Sequence, residues 1–305
     1  MNPLALVRTP PPVHAFAPSE GELVYGRLNS RRNALQRVER TRLAPEWFRL
    51  GPVGLLQVDR QELAGGVAGL VRRLEKAPRQ ASLVIPNGWV RSVVLETGEL
   101  PQPREEAEEV VRWRLKKLLP CRPEDVRLDF VPSSEKGRIL VVLALDRPLA
   151  TVEEVFTAAG IHLGRIEPAA VALTALLPAS PTPVVLAIAE ERALSLVVLA
   201  GGKPVLLRHK PLPADTRRAE LFITRELTRT LAHARLQEKL SGPVVVWLAS
   251  SDEEAVAEVE RWADGEAGVT VNRLAVGAGR VPAEAGTRAV GLWSLLGTAW
   301  AGEAR

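Results

Sequence analysis

The sequence has little of what disulfide frameworks, zinc sites and most catalytic centres require. Among its 305 residues there is one cysteine, Cys121, and there are four histidines. A single cysteine excludes a disulfide framework, and no paired Cys and His spacing is present for a zinc site. The histidines, His14, His162, His209 and His233, are isolated along the chain, and no Gly-x-Ser-x-Gly nucleophile motif occurs. We therefore predict no catalytic residue and no metal-binding residue.

Long apolar runs are also missing. No stretch approaches the ~20 consecutive apolar residues of a membrane-spanning helix, and residues 1–12 lack the apolar core of a signal peptide. The chain by itself is therefore expected to be cytoplasmic and soluble. A hydrophobic content of 46% over 305 residues is ample for two cores, which favours two domains over one.

Neither sign of charge dominates, because the formal net charge is only +4. This is weak support for a nucleic-acid partner, and none is predicted. Residues 27–42 stand out, with six arginines and one glutamate. They predict either a basic ribbon for anionic lipid or nucleic acid, or a strand whose outward residues are arginine. The second interpretation is favoured, because no aromatic residues interleave to stack on bases.

The most informative stretch is 81–130. Residues 82–86 and 90–95 are β-branched runs separated by Pro86-Asn87-Gly88, a pattern that predicts a hairpin. Residues 104–119 repeat apolar side chains with helical spacing, and residues 126–131 resume a strand. The predicted buried face of this helix contains Ala107, Val111, Leu115 and Leu118. Trp113 lies on the opposite face.

Turn signals divide the rest of the chain into strands and helices. Residues 13–28 predict two strands with a tight turn at 19–21, 138–145 a buried strand, and 184–208 a three-stranded meander. Helices are predicted at 61–76, 151–160 (opened by a capping box of Thr151 and Glu154), 164–177, 215–240, 251–263 (opened by Ser251 and Glu254) and 288–301. The last helix is apolar on nearly all sides, and we interpret it as returning to the core rather than touching a membrane or binding a partner.

A family resemblance rests on the informative stretch. The run EEAEEVVRWRLKKLLPCRPEDVRLDF (105–130), preceded by LVIPNGWVRSVVLE (83–96), resembles the signature block of the PilM family of type IV pilus assembly proteins, actin-like relatives of FtsA. The resemblance implies an α/β, actin-like ATPase (FtsA/PilM-type) fold with two domains and an inserted strand-strand-helix-strand-strand-helix subdomain. The expected divisions are 1–80 (first actin-like domain, N-terminal part), 81–163 (inserted 1C-like subdomain), 164–180 (return to the first domain) and 181–305 (second actin-like domain with a C-terminal helix).

The nucleotide-binding motifs of that family are degenerate here. In the first phosphate hairpin, AFAPSEGE (15–22), Ala17 replaces the family's acid, Pro18 removes an N–H donor, and Glu20 places negative charge where phosphate would lie. The second hairpin, AIAEERALS (187–195), has Ala187 at the acid's position and no glycine. LASSDEEA (248–255) replaces the glycine pair expected under the base.

From these losses we expect no cofactor, no useful affinity for ATP and no enzymatic activity. The chain would then be a pseudo-ATPase. Asp129 and Glu167 remain as acids at family positions, and we interpret them as surface or capping carboxylates.

The resemblance also implies a partner. In the PilM family, the cleft between the first domain and the inserted subdomain receives an extended N-terminal segment of a membrane protein, PilN. We predict partner contacts at Val84, Trp89, Arg91, Arg112 and Trp113, with the tryptophans as apolar anchors and the arginines binding carboxylates or peptide carbonyls. The alternative, that these residues simply cover the subdomain, stays open.

The function implied by the resemblance is that of an adaptor or scaffold in the inner-membrane assembly platform of a type IV pilus. It would be cytoplasmic and held at the inner membrane through a PilN-like partner, touching the membrane only indirectly. A pilus or secretion motor ATPase is a second candidate partner. Two alternatives remain: a cytoplasmic GspL-like component of a type II secretion system, and a weak actin-like ATPase.

Overall fold

The structure, a computed structural model, describes residues 10–133, 137–190, 192–237, 240–276, 279–282 and 289–299. Within these ranges the chain forms two five-stranded sheets, a three-stranded sheet and a two-stranded hairpin, with helices packed on them. No helix among the described residues combines the length and the apolar character needed to cross a bilayer.

The first large sheet is formed by β1 (His14–Pro18), β2 (Glu22–Leu28), β3 (Leu35–Arg42), β6 (Gln80–Ile85) and β10 (His162–Pro168). Their order is β10-β6-β1-β2-β3. The first three strands form an antiparallel meander, and β6 and β10 extend the sheet in parallel. β6 is buried at five of its six positions, as expected for an interior parallel strand covered on both faces.

The second large sheet is formed by β11 (Val184–Glu190), β12 (Ala193–Ala200), β13 (Lys203–Pro211), β14 (Val244–Ser250) and β15 (Val269–Arg273). Their order is β13-β12-β11-β14-β15. It is again an antiparallel meander followed by two parallel strands. The two halves of the chain therefore repeat one topology, and the predicted meander is confirmed.

The third sheet consists of β7 (Arg91–Glu96), β8 (Val126–Pro132) and β9 (Arg138–Leu145), in the order β7-β9-β8. Helix α2 (Arg104–Leu115) buries Val111 and Leu115 against one face. On the other face Val94 and Val142 pack against the core of the second large sheet. The inserted strands therefore contact both halves of the molecule.

The predicted hairpin of residues 82–86 and 90–95 is wrong. Its first strand, β6, lies in the first large sheet between β1 and β10, and its second, β7, pairs with β9. A short 3₁₀ turn, Asn87–Trp89, follows Pro86 and redirects the chain while Trp89 enters the first core. Because β7, β8 and β9 form a sheet of their own, the structure favours an inserted unit limited to residues 91–145. The division of the chain at 80, 163 and 180 stays a prediction.

The remaining elements are β4 (Phe48–Gly51), β5 (Gly54–Val58), α1 (Arg60–Val71), α3 (Asp146–Ala158), α4 (Ala169–Thr174), α5 (Thr216–Gln237), α6 (Glu253–Asp264) and α7 (Ala289–Ala299). Helices α1 and α3 cover one face of the first sheet, with Phe156 and Leu63 in its core. Helix α7, although it ends the second half, packs Leu295 and Leu296 against Ala15 and Val84 of the first sheet.

Helices α4 and α7 approach closely where the two halves meet. A Cβ atom built at Gly297 would lie 2.2 Å from the backbone oxygen of Ala172, well inside van der Waals contact. Only glycine at position 297 permits this approach. The crossing explains why the last helix is apolar nearly all round, and it confirms that this helix returns to the core. Its predicted ends, residues 288, 300 and 301, lie outside the described residues.

Three other helix predictions need correction. Residues 164–168 belong to strand β10, so the helix predicted at 164–177 is reduced to α4. Helix α3 begins at Asp146, and Thr151 is inside it, where its hydroxyl donates to Arg147 O at 3.1 Å instead of capping. Helix α2 ends at Leu115, which leaves Leu118 exposed rather than buried.

Candidate functional site

The two turns expected to hold phosphate come together in space. In the first, which follows β1, Ser19 N donates to Glu22 O at 2.8 Å and Ser19 Oγ donates to the same carbonyl at 3.2 Å. The second turn joins β11 and β12, and its Arg192 Nη1 lies 3.1 Å from Glu20 Oε2. The protein thus places an ion pair of its own between the turns.

The strands leading into these turns supply no metal ligand at the expected positions. Ala17 in β1 and Ala187 in β11 are both buried in their sheets, and neither has a side-chain oxygen. Pro18, the last residue of β1, has no backbone N–H to donate.

The turn expected under the base forms an ordinary helix start. Asp252 caps α6, and its carboxylate accepts hydrogen bonds from the backbone N–H groups of Glu254 (3.0 Å) and Ala255 (3.3 Å). The predicted cap at Ser251 is therefore wrong by one residue. Because Asp252 occupies these amides, this helix end does not offer them to a ligand.

Glu167 is buried at the end of β10, so its interpretation as a surface or capping carboxylate is wrong. Arg165 Nη2 lies 2.6 Å from one carboxylate oxygen, and the hydroxyl of Thr298 in α7 donates to the other. Burial raises the pKa of Glu167, although Arg165 and the Thr298 hydrogen bond act in the opposite direction. This acid ties the first sheet to the last helix. Asp129, in contrast, is exposed and pairs with Arg104.

An open cleft of about 520 Å³ lies between the inserted sheet and the first large sheet. One wall is β8, and the opposite wall is the C-terminal end of β10. Both are edge strands, since each pairs with a single neighbour. The lining is mainly apolar and includes Leu128, Phe130, Val131, Leu140, Ile166 and Leu207. Four charged residues, Arg127, Asp129, Arg165 and Glu167, also line the cleft, and each of them forms an ion pair within this chain.

Two hydrogen bonds show which backbone groups of β8 point away from β9. Val126 O accepts from Arg112 Nη1 at 2.9 Å, and Phe130 N donates to the carboxylate of Asp129 at 2.8 Å. Every second residue of a strand presents its backbone groups to the same side. Leu128, which lies between these two residues, therefore presents its N–H and C=O to the open edge. The guanidinium carbon of Arg104 lies 4.6 Å from the centre of the Phe130 ring at this edge.

The structure does not bring the five predicted partner residues together at this cleft, and none of them lines it. Val84 is buried between the first sheet and α7. Trp89 is 0% exposed and packs edge to face against Trp47 and Phe48, with ring centres 5.6 and 5.3 Å away. Both side chains form part of the core and are inaccessible to a partner in this structure, which opposes the predicted contact at Val84 and the predicted apolar anchor at Trp89.

The other three predicted residues are more accessible. Arg112 is half-buried and holds helix α2 to the start of β8 through Pro123 O and Val126 O, while it pairs with Glu108 at 2.7 Å. Arg91 is half-buried in β7. Trp113 is 67% exposed on the outer face of α2, as its phase in the helix predicts. A partner contact at Arg91, Arg112 or Trp113 stays a prediction.

Sequence reasoning missed the residues that line the cleft. Leu128, Phe130 and Ile166 belong to segments with ordinary strand patterns, and a pattern does not reveal which strand lies at a sheet edge. The sequence feature that could have indicated an edge strand is the alternation of VRLDFVP (126–132), which leaves the charged Asp129 between two apolar residues.

Comparisons with known proteins support the fold. No protein-family model matches the sequence, and no curated protein matches it. Among solved structures, a chain of a PilM–PilN type IV pilus biogenesis complex superposes with a TM-score of 0.72 and 19% identity, covering 94% of this chain and 97% of that one.

Two further structures are similar at lower scores. The cytoplasmic domain of EpsL, an inner-membrane component of the type II secretion system of Vibrio cholerae, has a TM-score of 0.52, 8% identity and 95% coverage of both chains. A protein of unknown function with an actin-like ATPase fold from Bacteroides thetaiotaomicron has a TM-score of 0.51 and 11% identity, covering 93% of this chain and 94% of that one. The chain therefore has the actin-like ATPase fold, and the resemblance to PilM that the sequence indicated is confirmed at the level of that fold.

Proposed function

We propose that this protein is a scaffold subunit of the assembly platform of a type IV pilus or a related secretion system. In this role it binds an extended segment of a PilN-like membrane protein in the cleft between β8 and β10. The partner holds the protein at the inner membrane from the cytoplasmic side. The observation that carries the proposal is that two edge strands, from different sheets, line one apolar cleft.

An extended peptide is the ligand that fits this arrangement. Edge strands present backbone N–H and C=O groups that a peptide can pair with, and pockets between them accept alternate side chains. On the β8 side, Leu128 presents both of its backbone groups. Leu128, Phe130 and Ile166 offer apolar contact. The guanidinium groups of Arg127 and Arg165 at the rim are already paired with carboxylates of this chain. None of this chemistry requires a nucleotide.

The proposal includes the absence of ATP binding and of enzymatic activity. It is supported by the ion pair of Glu20 and Arg192 between the two turns and by the occupied amides at the start of α6. The PilM–PilN complex, a pilus biogenesis complex, and EpsL, a component of a secretion system, share the fold at low identity. A GspL-like role is the alternative, and both roles use this chain as a scaffold.

The test is a proline substitution at the open edge of β8. Leu128→Pro removes the N–H that points away from β9, so the ladder to β9 loses no hydrogen bond, and proline is tolerated on edge strands. Leu128→Ala is the matched control, because it shortens the side chain and keeps the N–H. The measurement is fluorescence anisotropy with a labelled peptide from the N-terminal tail of the PilN-like protein of the same organism.

We expect the proline variant to bind the peptide at least about tenfold more weakly than the alanine variant, equivalent to about 1.4 kcal/mol. Circular dichroism establishes that both variants are folded. If a folded Leu128→Pro variant binds the peptide as tightly as Leu128→Ala does, then β8 is not the strand to which the peptide adds, and the proposed site is wrong.

A further inference from the structure

A second concave site lies at the other end of β1 from the phosphate turn. His14 begins β1 and Ser19 follows its last residue, so the site and the turn are separated by the length of the strand. The pocket has a volume of about 460 Å³. Its walls are the ends of β1, β2 and β3 and the segment 74–79 that joins α1 to β6.

Three basic side chains form a row across the sheet at this site. His14 in β1 is directly opposite Arg27 in β2, and Arg27 is directly opposite Arg37 in β3. Residues directly opposite on neighbouring strands share a face, and like charges in that position destabilise a sheet. Lys76 and Arg79 add two more cationic groups from the joining segment. Arg27 and Arg37 therefore repel each other across the sheet.

Carboxylates offset this charge only in part. Glu39 lies 2.9 Å from Arg37, whose guanidinium also donates to Arg73 O at 2.7 Å. Glu75 is the one carboxylate among the described lining residues. For Arg27, Lys76 and Arg79, the described part of the chain contains no carboxylate within ion-pair distance. A net positive charge is thus concentrated in a concave site.

A buried hydroxyl and an imidazole lie beside these cations. The hydroxyl of Tyr25, a residue that is 2% exposed, is 2.7 Å from His14 Nδ1. Burial and the charge of Arg27 lower the pKa of His14, which favours the neutral form of the ring. The pair adds neutral hydrogen-bonding groups to the four cationic side chains.

We propose that this pocket binds a phosphate group carried by a small molecule or by a phospholipid headgroup. Guanidinium groups match the oxygen geometry of phosphate, and a phosphate ester carries between one and two negative charges near neutral pH. One such group would neutralise the row formed by Arg27 and Arg37 and would attract Arg79 and Lys76. The volume is within the range of small-molecule pockets, about 300–1,000 Å³.

The test compares two double variants that remove the same charge. Arg27→Gln with Arg79→Gln removes two exposed cations of the pocket, whereas Arg31→Gln with Arg42→Gln removes two exposed cations elsewhere on the same meander. Calorimetric titrations use inorganic phosphate and pyrophosphate. Flotation uses vesicles of phosphatidylcholine with and without phosphatidylglycerol. Lys76→Gln is the substitute if the first double variant does not fold.

We expect phosphate, pyrophosphate or the anionic vesicles to bind the wild type, and the pocket variant to bind at least about tenfold more weakly. The control pair should change the affinity less than twofold. Binding of the free anions identifies a soluble ligand, while binding of vesicles alone identifies a headgroup. The His14 ring resonance, assigned with His14→Gln, should shift on saturation. Equal weakening in both double variants, or no binding of any of these probes, overturns the proposal.

Discussion

Arg192 lies 3.1 Å from Glu20, although the two residues are 172 positions apart in the sequence. This ion pair joins two turns of the chain. Each turn connects the first two strands of its own sheet, so the pair links equivalent positions of the two repeated halves. In an active actin-like ATPase this is where phosphate would be held. Here the carboxylate of Glu20 pairs with the guanidinium of Arg192, so the cation that could meet a phosphate is already neutralised by a carboxylate of this chain.

The first prediction is that ATP with Mg²⁺ does not bind in the micromolar range. Glu20 places a carboxylate at the first turn and pairs with Arg192 of the second, the amides at the start of α6 are occupied by Asp252, and no acid remains at positions 17 or 187. Calorimetric titration tests this. Micromolar binding that is abolished by Glu20→Trp would mean that the site between the turns is still functional.

The second prediction concerns the stability contributed by the same ion pair. The two side chains are 77% and 56% exposed, so the pair is screened by solvent. We expect Glu20→Gln to change the free energy of unfolding by less than about 1 kcal/mol, as measured by urea denaturation. A larger loss would show that the two halves depend on this contact to stay together.

The third prediction concerns the crossing of α4 and α7. Gly297→Ala places a methyl group 2.2 Å from Ala172 O, and the helices must separate to accept it. We expect the free energy of unfolding to fall by about 1–3 kcal/mol. Gly291→Ala in the same helix is the control, because nothing lies within 4 Å of its new methyl group, and alanine favours a helix by up to about 1 kcal/mol. Urea denaturation of both variants should show opposite signs, and equal effects would contradict the crossing.

The fourth prediction compares the stability effects of Trp89 and Trp113, the two residues that the sequence predicts as apolar anchors. Trp89→Ala removes a fully buried ring and should cost about 3–5 kcal/mol of stability. Trp113→Ala removes a ring that is 67% exposed and should change the stability by less than about 0.5 kcal/mol. Thermal or urea unfolding of both variants measures these two changes in stability. If Trp113→Ala weakens peptide binding while it leaves stability unchanged, the predicted contact at Trp113 is supported.

The fifth prediction is a pH dependence that originates at Glu167. Burial raises the pKa of this carboxyl in the folded state, so the folded protein holds the proton more tightly than the unfolded chain does. Its stabilising contribution is fully present below the unfolded pKa and is lost as the pH rises through the folded pKa. Wild type should therefore lose stability relative to Glu167→Gln as the pH rises above about 4.5, the ordinary pKa of a glutamate. A difference that is constant with pH, or of opposite slope, contradicts the raised pKa.

Much of the local structure follows from the sequence, because it depends on neighbours along the chain. Apolar spacing places Trp113 on the outer face of α2, and turn residues place the strands of both meanders. The loss of the acids and glycines at the nucleotide turns is likewise a matter of residue identity. These features hold whichever elements pack against each other.

Tertiary structure decided which strands pair, which lie at edges and which aromatic residues are buried. Residues 82–86 have the pattern of a hairpin strand, yet β6 lies between β1 and β10, where both of its edges are paired. Helices α1 and α3 on one side of the sheet and α7 on the other bury its two faces. The edge positions of β8 and β10, and hence the cleft, depend on sheet order, which no local pattern encodes. Trp89 resembled an anchor in the sequence, but it is buried because Trp47 and Phe48, some 40 residues before it, enclose its ring.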